Sequence, residues 1–149
     1  AAYGQGQVIA TPFQMTRVAA TVARGGSMPQ GLRELGEPPQ EPVPILSRDS
    51  TALLGRSMRY VVTSGTAARL LGGVVPAIAG KTGTAEVQGK PSHSWFIGFA
   101  PYQGTGRKIA FAVIVEHGGY GGRLAAQASG EIVRAAAALR LIGAGEPQP

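Results

Sequence analysis

Apolar residues recur at helical spacing through the first half of the chain, and the rhythm changes near Ile78. Thr11-Pro12-Phe13-Gln14 reads as a helix start: Thr11 can cap, Pro12 suits the first turn, and Gln14 completes a capping box. Met15, Val18, Ala19 and Val22 then form a predicted buried stripe, closed by Gly25-Gly26. Residues 27–46 carry five prolines and little periodicity, so they are expected to be a loop, extended in part and longer than most internal connections. A second helix is predicted from 47 to about 62, with Leu54, Met58, Val61 and Val62 buried and Arg48, Arg56 and Arg59 on the surface. Thr63-Ser64-Gly65-Thr66 breaks it, and a short helical turn fits 67–71.

From Ile78 the pattern is that of strands. Residues 78–87 read as one strand, 88–91 as a turn, 94–100 as a second strand, 101–106 as a turn and 108–116 as a third strand. The short connections imply an antiparallel meander with the Lys81 strand on one outer side. The third strand, Ile109-Ala110-Phe111-Ala112-Val113-Ile114-Val115, is apolar without alternation, as a strand covered on both faces in mid-sheet would be. A meander of three strands nevertheless leaves it at an edge, where a long apolar strand is an aggregation template. The simplest resolution is that further strands, outside this chain, pair with residues 108–116. After the loop Gly118-Gly119-Tyr120-Gly121-Gly122, a last helix is predicted from about 124 to 142, with Ile132, Val133, Ala136, Ala137 and Leu139 facing inward. Its small residues Ala125, Ala126, Ala128, Ser129 and Gly130 would let it lie close on the sheet. A frayed tail, Glu146-Pro147-Gln148-Pro149, ends the chain. The fold class is α+β.

Composition narrows the chemistry. The 149 residues suit one domain with a real core. The net charge is +6, but the 14 cations are scattered and aromatics are only 6% of residues. A nucleic-acid binder would cluster its cations or interleave them with aromatics, so no nucleic-acid partner is expected. There is no cysteine, which excludes disulfides, thiolate metal sites and a cysteine nucleophile. The two histidines, His93 and His117, lack HExxH spacing, so no metal and no other cofactor is expected. Asp49 is the sole aspartate, and no serine–histidine–acid order is suggested. No apolar run approaches the roughly 18 residues of a membrane span, and no signal peptide is recognisable. Opening directly on Ala1-Ala2-Tyr3, the chain reads as a piece of something longer.

The chemistry-bearing stretch is Gly80-Lys81-Thr82-Gly83-Thr84-Ala85-Glu86. A cation beside two hydroxyls on a glycine-bared backbone suits an anionic group bound along a strand edge. A phosphate loop also ends in Gly-Lys-Thr, but it needs a glycine where Val75 stands, and Pro76 occupies the curl. Taken alone, seven residues are also compatible with an ordinary strand and turn. Trp95 and Phe96 are expected in the core, since alternation sends one of them inward. His93 is expected to make a turn hydrogen bond, Glu86 and Glu116 to be solvated, and Tyr120 is a candidate for a groove mouth.

Together with Ser94-Trp95-Phe96-Ile97-Gly98-Phe99-Ala100-Pro101, this stretch resembles the third and fourth strands of the penicillin-binding D,D-transpeptidases. Gly4-Gln5-Gly6 with Ala10-Thr11-Pro12-Phe13-Gln14-Met15, and Val61-Val62-Thr63-Ser64-Gly65-Thr66-Ala67, are similar to family segments in the same order. Two family motifs are missing. No serine is followed three residues later by lysine, and there is no asparagine, so SxxK and SxN are both absent. The resemblance therefore implies the C-terminal portion of one transpeptidase domain: a partial β-lactamase/transpeptidase-like fold without its N-terminal strands, spanning residues 1–149. The remainder of the domain would pair with 108–116, and the parent would be membrane-anchored outside the cytoplasm.

By the same resemblance, the D-Ala-D-Ala end of a peptidoglycan stem peptide, or a β-lactam, would bind along the Lys81 strand as an added strand. Lys81 would supply positive potential, and the Thr82 and Thr84 hydroxyls would hold the terminal carboxylate. Gly83 would leave room for the acyl group, and the Thr84 N–H would be one of two oxyanion donors. With no nucleophile in the chain, it is expected to be inactive alone. The alternative reading is a non-catalytic wall-binding or regulatory module that kept the fold.

Overall fold

Thr11 starts the first helix as its sequence requires. In the computed structural model, which describes residues 8–30, 38, 40–104, 106–120 and 122–143, the Thr11 hydroxyl accepts from the Gln14 N–H while the Gln14 side chain accepts from the Thr11 N–H. This capping box opens α1, Pro12–Ala23. Gly4-Gln5-Gly6, the chain's first residues, its tail, and parts of the proline-rich loop and of both later turns lie outside the described residues. Gly25 and Gly26, at φ +69° and +103°, turn the chain out of α1 in a conformation glycine adopts without a Cβ penalty. The loop that follows is extended in part: β1 (Ser27–Met28) pairs antiparallel with β2 (Val43–Pro44).

Ser47 caps α2, Arg48–Thr63, by accepting from the Ser50 N–H. A single turn, α3 (Ala68–Leu71), follows. Then come β3 (Ala79–Val87), β4 (Lys90–Ala100) and β5 (Ile109–Val115), in the antiparallel order β3-β4-β5, with the Lys81 strand on the outside as its sequence implies. The β3–β4 turn is tighter than predicted. Lys90 and Pro91 belong to the strand, and Gln88-Gly89, with Gly89 at φ +71°, make the connection. Arg123–Ala138 forms α4, which ends short of the predicted 142.

The sheet is covered on both faces. On one, Phe96, Phe111 and Ala100 pack with Ala125, Ala126, Val133 and Ala136 of α4 and with Val62, Leu71 and Ile78. On the other, Phe99 and Ala79 meet Met58, Val22 and Ala23. The Phe96 ring lies over the Gly80–Gly98 cross-strand pair: a Cβ on Gly80 would run into the ring and stand 2.6 Å from the Ile97 carbonyl oxygen.

Three helical stripes differ from the predicted ones. Val18, Leu54, Ile132 and Leu139 are exposed, and the buried positions are Ala19 and Thr21 in α1, Thr51, Gly55, Met58, Arg59 and Val62 in α2, and Ala125, Ala126, Ser129, Gly130, Val133 and Ala136 in α4. In α4 the cause is close approach, because its small residues let the helix backbone come near its neighbours and displace bulky ones to the flank. Arg59 departs furthest from its predicted place on the surface. It is 9% exposed and donates from Nη1 to the Ile78 carbonyl at 2.8 Å. Burial pushes its guanidinium below the usual range, while Tyr102 acts in the opposite sense. In β5 only Phe111 is buried; its faces meet α1 and α4, and no described strand pairs with its outer edge.

Candidate functional site

The outer position of β3 makes the Gly80–Glu86 stretch a sheet edge as well as a sequence motif. One side of the strand bonds to β4, with Lys81 opposite Ile97, Thr82 opposite Phe96, Gly83 opposite Trp95 and Thr84 opposite Ser94. Along its other side no described strand is hydrogen-bonded. An edge of this kind offers main-chain donors and acceptors to an incoming extended peptide.

Cross-strand partners share a sheet face, so Lys81, Gly83 and Ala85 of β3 line up with Ile97, Trp95 and His93 of β4. With Val8, Ile9, Met15 and Ile114 these residues wall a groove of about 510 Å³, to which Thr82 and Thr84 also contribute. The four candidate residues Lys81, Thr82, Gly83 and Thr84 therefore reach one groove. Its walls are mostly apolar, and the polar groups concentrate along β3 and at His93, as in sites that bind a ligand's body by burial and orient it by a few polar contacts.

Each β3 residue has a definite local setting. Lys81 is exposed, and its ammonium folds back to donate to the Thr82 carbonyl at 2.7 Å. An anion entering the groove would compete for that ammonium with a neutral carbonyl, and a charge-assisted bond is the stronger of the two. Thr82 is 7% exposed, and its hydroxyl lies 2.7 Å from that of Thr66, in the turn after α2. If Thr66 is the donor, the Thr82 proton is available for a carboxylate. Gly83 has a packing reason as well: a Cβ there would stand 3.2 Å from that of Trp95. Thr84 is half-buried opposite Ser94, whose hydroxyl is fully buried and accepts from the Ala125 N–H at 3.3 Å. Ser94 thus anchors the first turn of α4. Gly122, the residue before that helix, sits so close that a Cβ would be 2.6 Å from the Trp95 carbonyl oxygen and 2.8 Å from the Thr82 Cβ.

Sequence reasoning gave no site role to Thr66 or to His93, and it misplaced Trp95. Trp95, expected in the core with Phe96, lines the groove, while Phe96 alone is fully buried. The alternation that separates them was visible, but nothing indicated which face α4 would cover. Thr66 lies in the stretch Val61-Val62-Thr63-Ser64-Gly65-Thr66-Ala67, whose resemblance implied no role for it. His93 makes the expected hydrogen bond and lines the groove besides. Tyr120, 83% exposed, is not among the groove's residues. Glu86 and Glu116 are exposed strand-end carboxylates. Among the described residues no group of three or more His, Asp or Glu could hold a metal ion, and no helix is long and apolar enough to cross a membrane.

The site is thus a sheet edge bearing Lys-Thr-Gly-Thr, with α4 and its small residues packed behind the sheet. The sequence pattern of the family described as penicillin binding protein transpeptidase domain matches residues 1–136. The chain belongs to that family. It is 35% identical over 158 aligned positions to peptidoglycan D,D-transpeptidase PbpA of Mycobacterium tuberculosis, covering 89% of this chain and 30% of the relative. Its fold matches the crystal structure of penicillin-binding protein A from the same organism, with a TM-score of 0.72 and 32% identity over 89% of this chain and 34% of that one. The imipenem acyl-enzyme complex of that protein matches with a TM-score of 0.71 and 30% identity, over 89% of this chain and 32% of that one. The chain thus spans about a third of the length of the relatives it matches.

Proposed function

We propose that this chain is the C-terminal portion of a single transpeptidase domain and forms one wall of the groove of a peptidoglycan D,D-transpeptidase. The substrate is the D-Ala-D-Ala end of a stem peptide, and β-lactams acylate the same centre. The observation that carries this reading is that Lys81, Thr82, Gly83 and Thr84 line one groove on β3, along whose outer side no described strand is hydrogen-bonded. The acyl-enzyme complex of the M. tuberculosis relative supports it by family membership.

In this mechanism the substrate lies along β3 as an added strand. Lys81 turns its ammonium from the Thr82 carbonyl to the terminal carboxylate, which the Thr82 and Thr84 hydroxyls also hold. Gly83 keeps the approach to the scissile carbonyl clear. The Thr84 N–H donates to the oxyanion as the tetrahedral intermediate forms, and one such donor lowers a barrier by about 2.7–4 kcal/mol. The attacking serine, its lysine and the second donor belong to the SxxK and SxN motifs, which this sequence does not contain. They would come from the remainder of the domain, whose strands would pair with the outer edge of β5, in a parent protein anchored outside the cytoplasm.

Labelling with a fluorescent penicillin tests this. The full-length protein that carries this segment should label covalently at a serine outside residues 1–149, and the isolated segment should remain unlabelled. Hydroxylamine-sensitive labelling of the isolated segment would contradict the assignment. A full-length protein that binds peptidoglycan and fails to label would favour the non-catalytic wall-binding module.

A further inference from the structure

Two segments remote in sequence hold the Thr82 side chain from different directions. Its hydroxyl lies 2.7 Å from that of Thr66. Its methyl side packs against Gly122, where a Cβ would stand 2.8 Å from the Thr82 Cβ and 3.0 Å from its Cγ2. A β-branched side chain has few χ1 rotamers, so these two contacts fix where the Thr82 oxygen points. Thr66 is itself held by the backbone on either side of it. The Gly65 N–H donates to the Tyr60 carbonyl at 3.0 Å, the Ala67 N–H donates to the Val61 carbonyl at 3.2 Å, and Ala67 is fully buried. The turn after α2 therefore presents one hydroxyl at a set place beside β3.

A hydroxyl carries one proton and accepts through its lone pairs. Between two threonines the bond can run in either sense, and the two senses differ at Thr82. If Thr82 donates to Thr66, its proton is spent within the protein, and a carboxylate approaching the oxygen meets lone pairs. If Thr66 donates, the Thr82 proton is free for the carboxylate, and the two bonds run head to tail, each polarising the other. Thr66 loses little by donating, because it is exposed and water can meet its own oxygen. Thr82 is 7% exposed, so its oxygen relies on Thr66 for the partner that water would otherwise be. Resting on the transpeptidase reading given above, in which the Thr82 hydroxyl holds the substrate carboxylate, we propose that Thr66 is a positioning residue. It donates to the Thr82 oxygen and so turns the Thr82 proton towards that carboxylate. Its effect on acylation passes through Thr82 alone.

The test is the second-order rate of penicillin acylation of the full-length protein. It is measured for Thr66→Val and Thr66→Ser, and for Thr66→Val again in a Thr82→Val background. Valine keeps the shape of threonine without its hydroxyl, at a position exposed enough to tolerate it, whereas serine keeps the hydroxyl. Thr66→Val should lower the rate about three- to tenfold, and Thr66→Ser should stay within about twofold of wild type. Once Thr82 is valine, Thr66→Val should change the rate by less than about twofold, because the group it acts through is gone. A turn that merely braces β3 would give the same loss in both backgrounds. That outcome, an unchanged rate in Thr66→Val, or equal losses in the valine and serine variants would each overturn the assignment. A wild-type protein that penicillin fails to acylate would overturn the underlying transpeptidase reading, and this inference with it.

Discussion

Arg59 shows how a charged residue can belong to the buried face of a helix, four residues after Gly55 and three before Val62. Its charge groups it with Arg48 and Arg56 on a solvated stripe, yet its long stem carries the guanidinium under β3 to the Ile78 carbonyl. That carbonyl stands just before the strand, where the sheet ladder has not begun, so a side chain must satisfy it. Substituting Arg59→Met should cost about 1–3 kcal/mol in chemical denaturation. The exposed Arg56→Met should change stability by less than about 0.5 kcal/mol. Gly80 gives a second residue-level case. Sequence reading valued it for an accessible backbone, whereas the structure adds the Phe96 ring lying across it. Gly80→Ala should therefore destabilise by about 1–3 kcal/mol. Gly73→Ala, where a Cβ meets nothing within 4 Å, should not. Neither the Arg59 contact nor the Phe96 contact was legible, because each joins residues distant in sequence through a docking that no local pattern encodes.

At the scale of elements, what was legible followed local rules. The capping box at Thr11 and the strand order each rest on short-range chemistry or short connections, and both appear as read. The helix faces appear as read only in part: in α4, Ala125, Ala126, Ser129 and Gly130 lie close and Val133 and Ala136 point inward as expected. Leu139 is 69% exposed and Ile132 36%, although both were expected inward. The contact face of α4 is built from Ala125, Ala126, Ser129 and Gly130, with Gly130 so near Leu71 that a Cβ would stand 3.1 Å from its Cδ2. A rule that turns every large apolar residue inward overlooks how little room a face of small residues leaves for its bulky flanks. The consequence is measurable: Leu71→Ala, at a fully buried position, should cost about 2–5 kcal/mol by thermal or denaturant unfolding. Leu139→Ala should stay within about 0.5 kcal/mol. The two substitutions remove the same atoms, so the difference reports burial alone.

Across the whole molecule, the candidate site divides in the same way. Lys81 to Thr84 were legible because their chemistry is contiguous along one strand. The groove's other wall, made by Met15 of α1, His93, Trp95 and Ile97 of β4 and Ile114 of β5, was not, because three separate elements supply it. Thr66 is the sharpest example: sixteen residues from Thr82, it meets that hydroxyl only because the turn after α2 packs beside the strand. Replacing Thr66→Val in the full-length protein should lower the penicillin acylation rate by about three- to tenfold, by removing the group that sets the Thr82 proton. No change in that rate would show the pairing to be structural only.

The central claim is that β3 is the strand against which substrate is held. A crystal structure of the full-length protein acylated by a β-lactam addresses it directly. The acyl carbonyl oxygen should lie about 2.7–3.1 Å from the Thr84 backbone N–H, with the β-lactam carboxylate against Lys81 and the threonine hydroxyls. An adduct whose carbonyl and carboxylate are both held by other elements, with the β3 edge left empty, would contradict it.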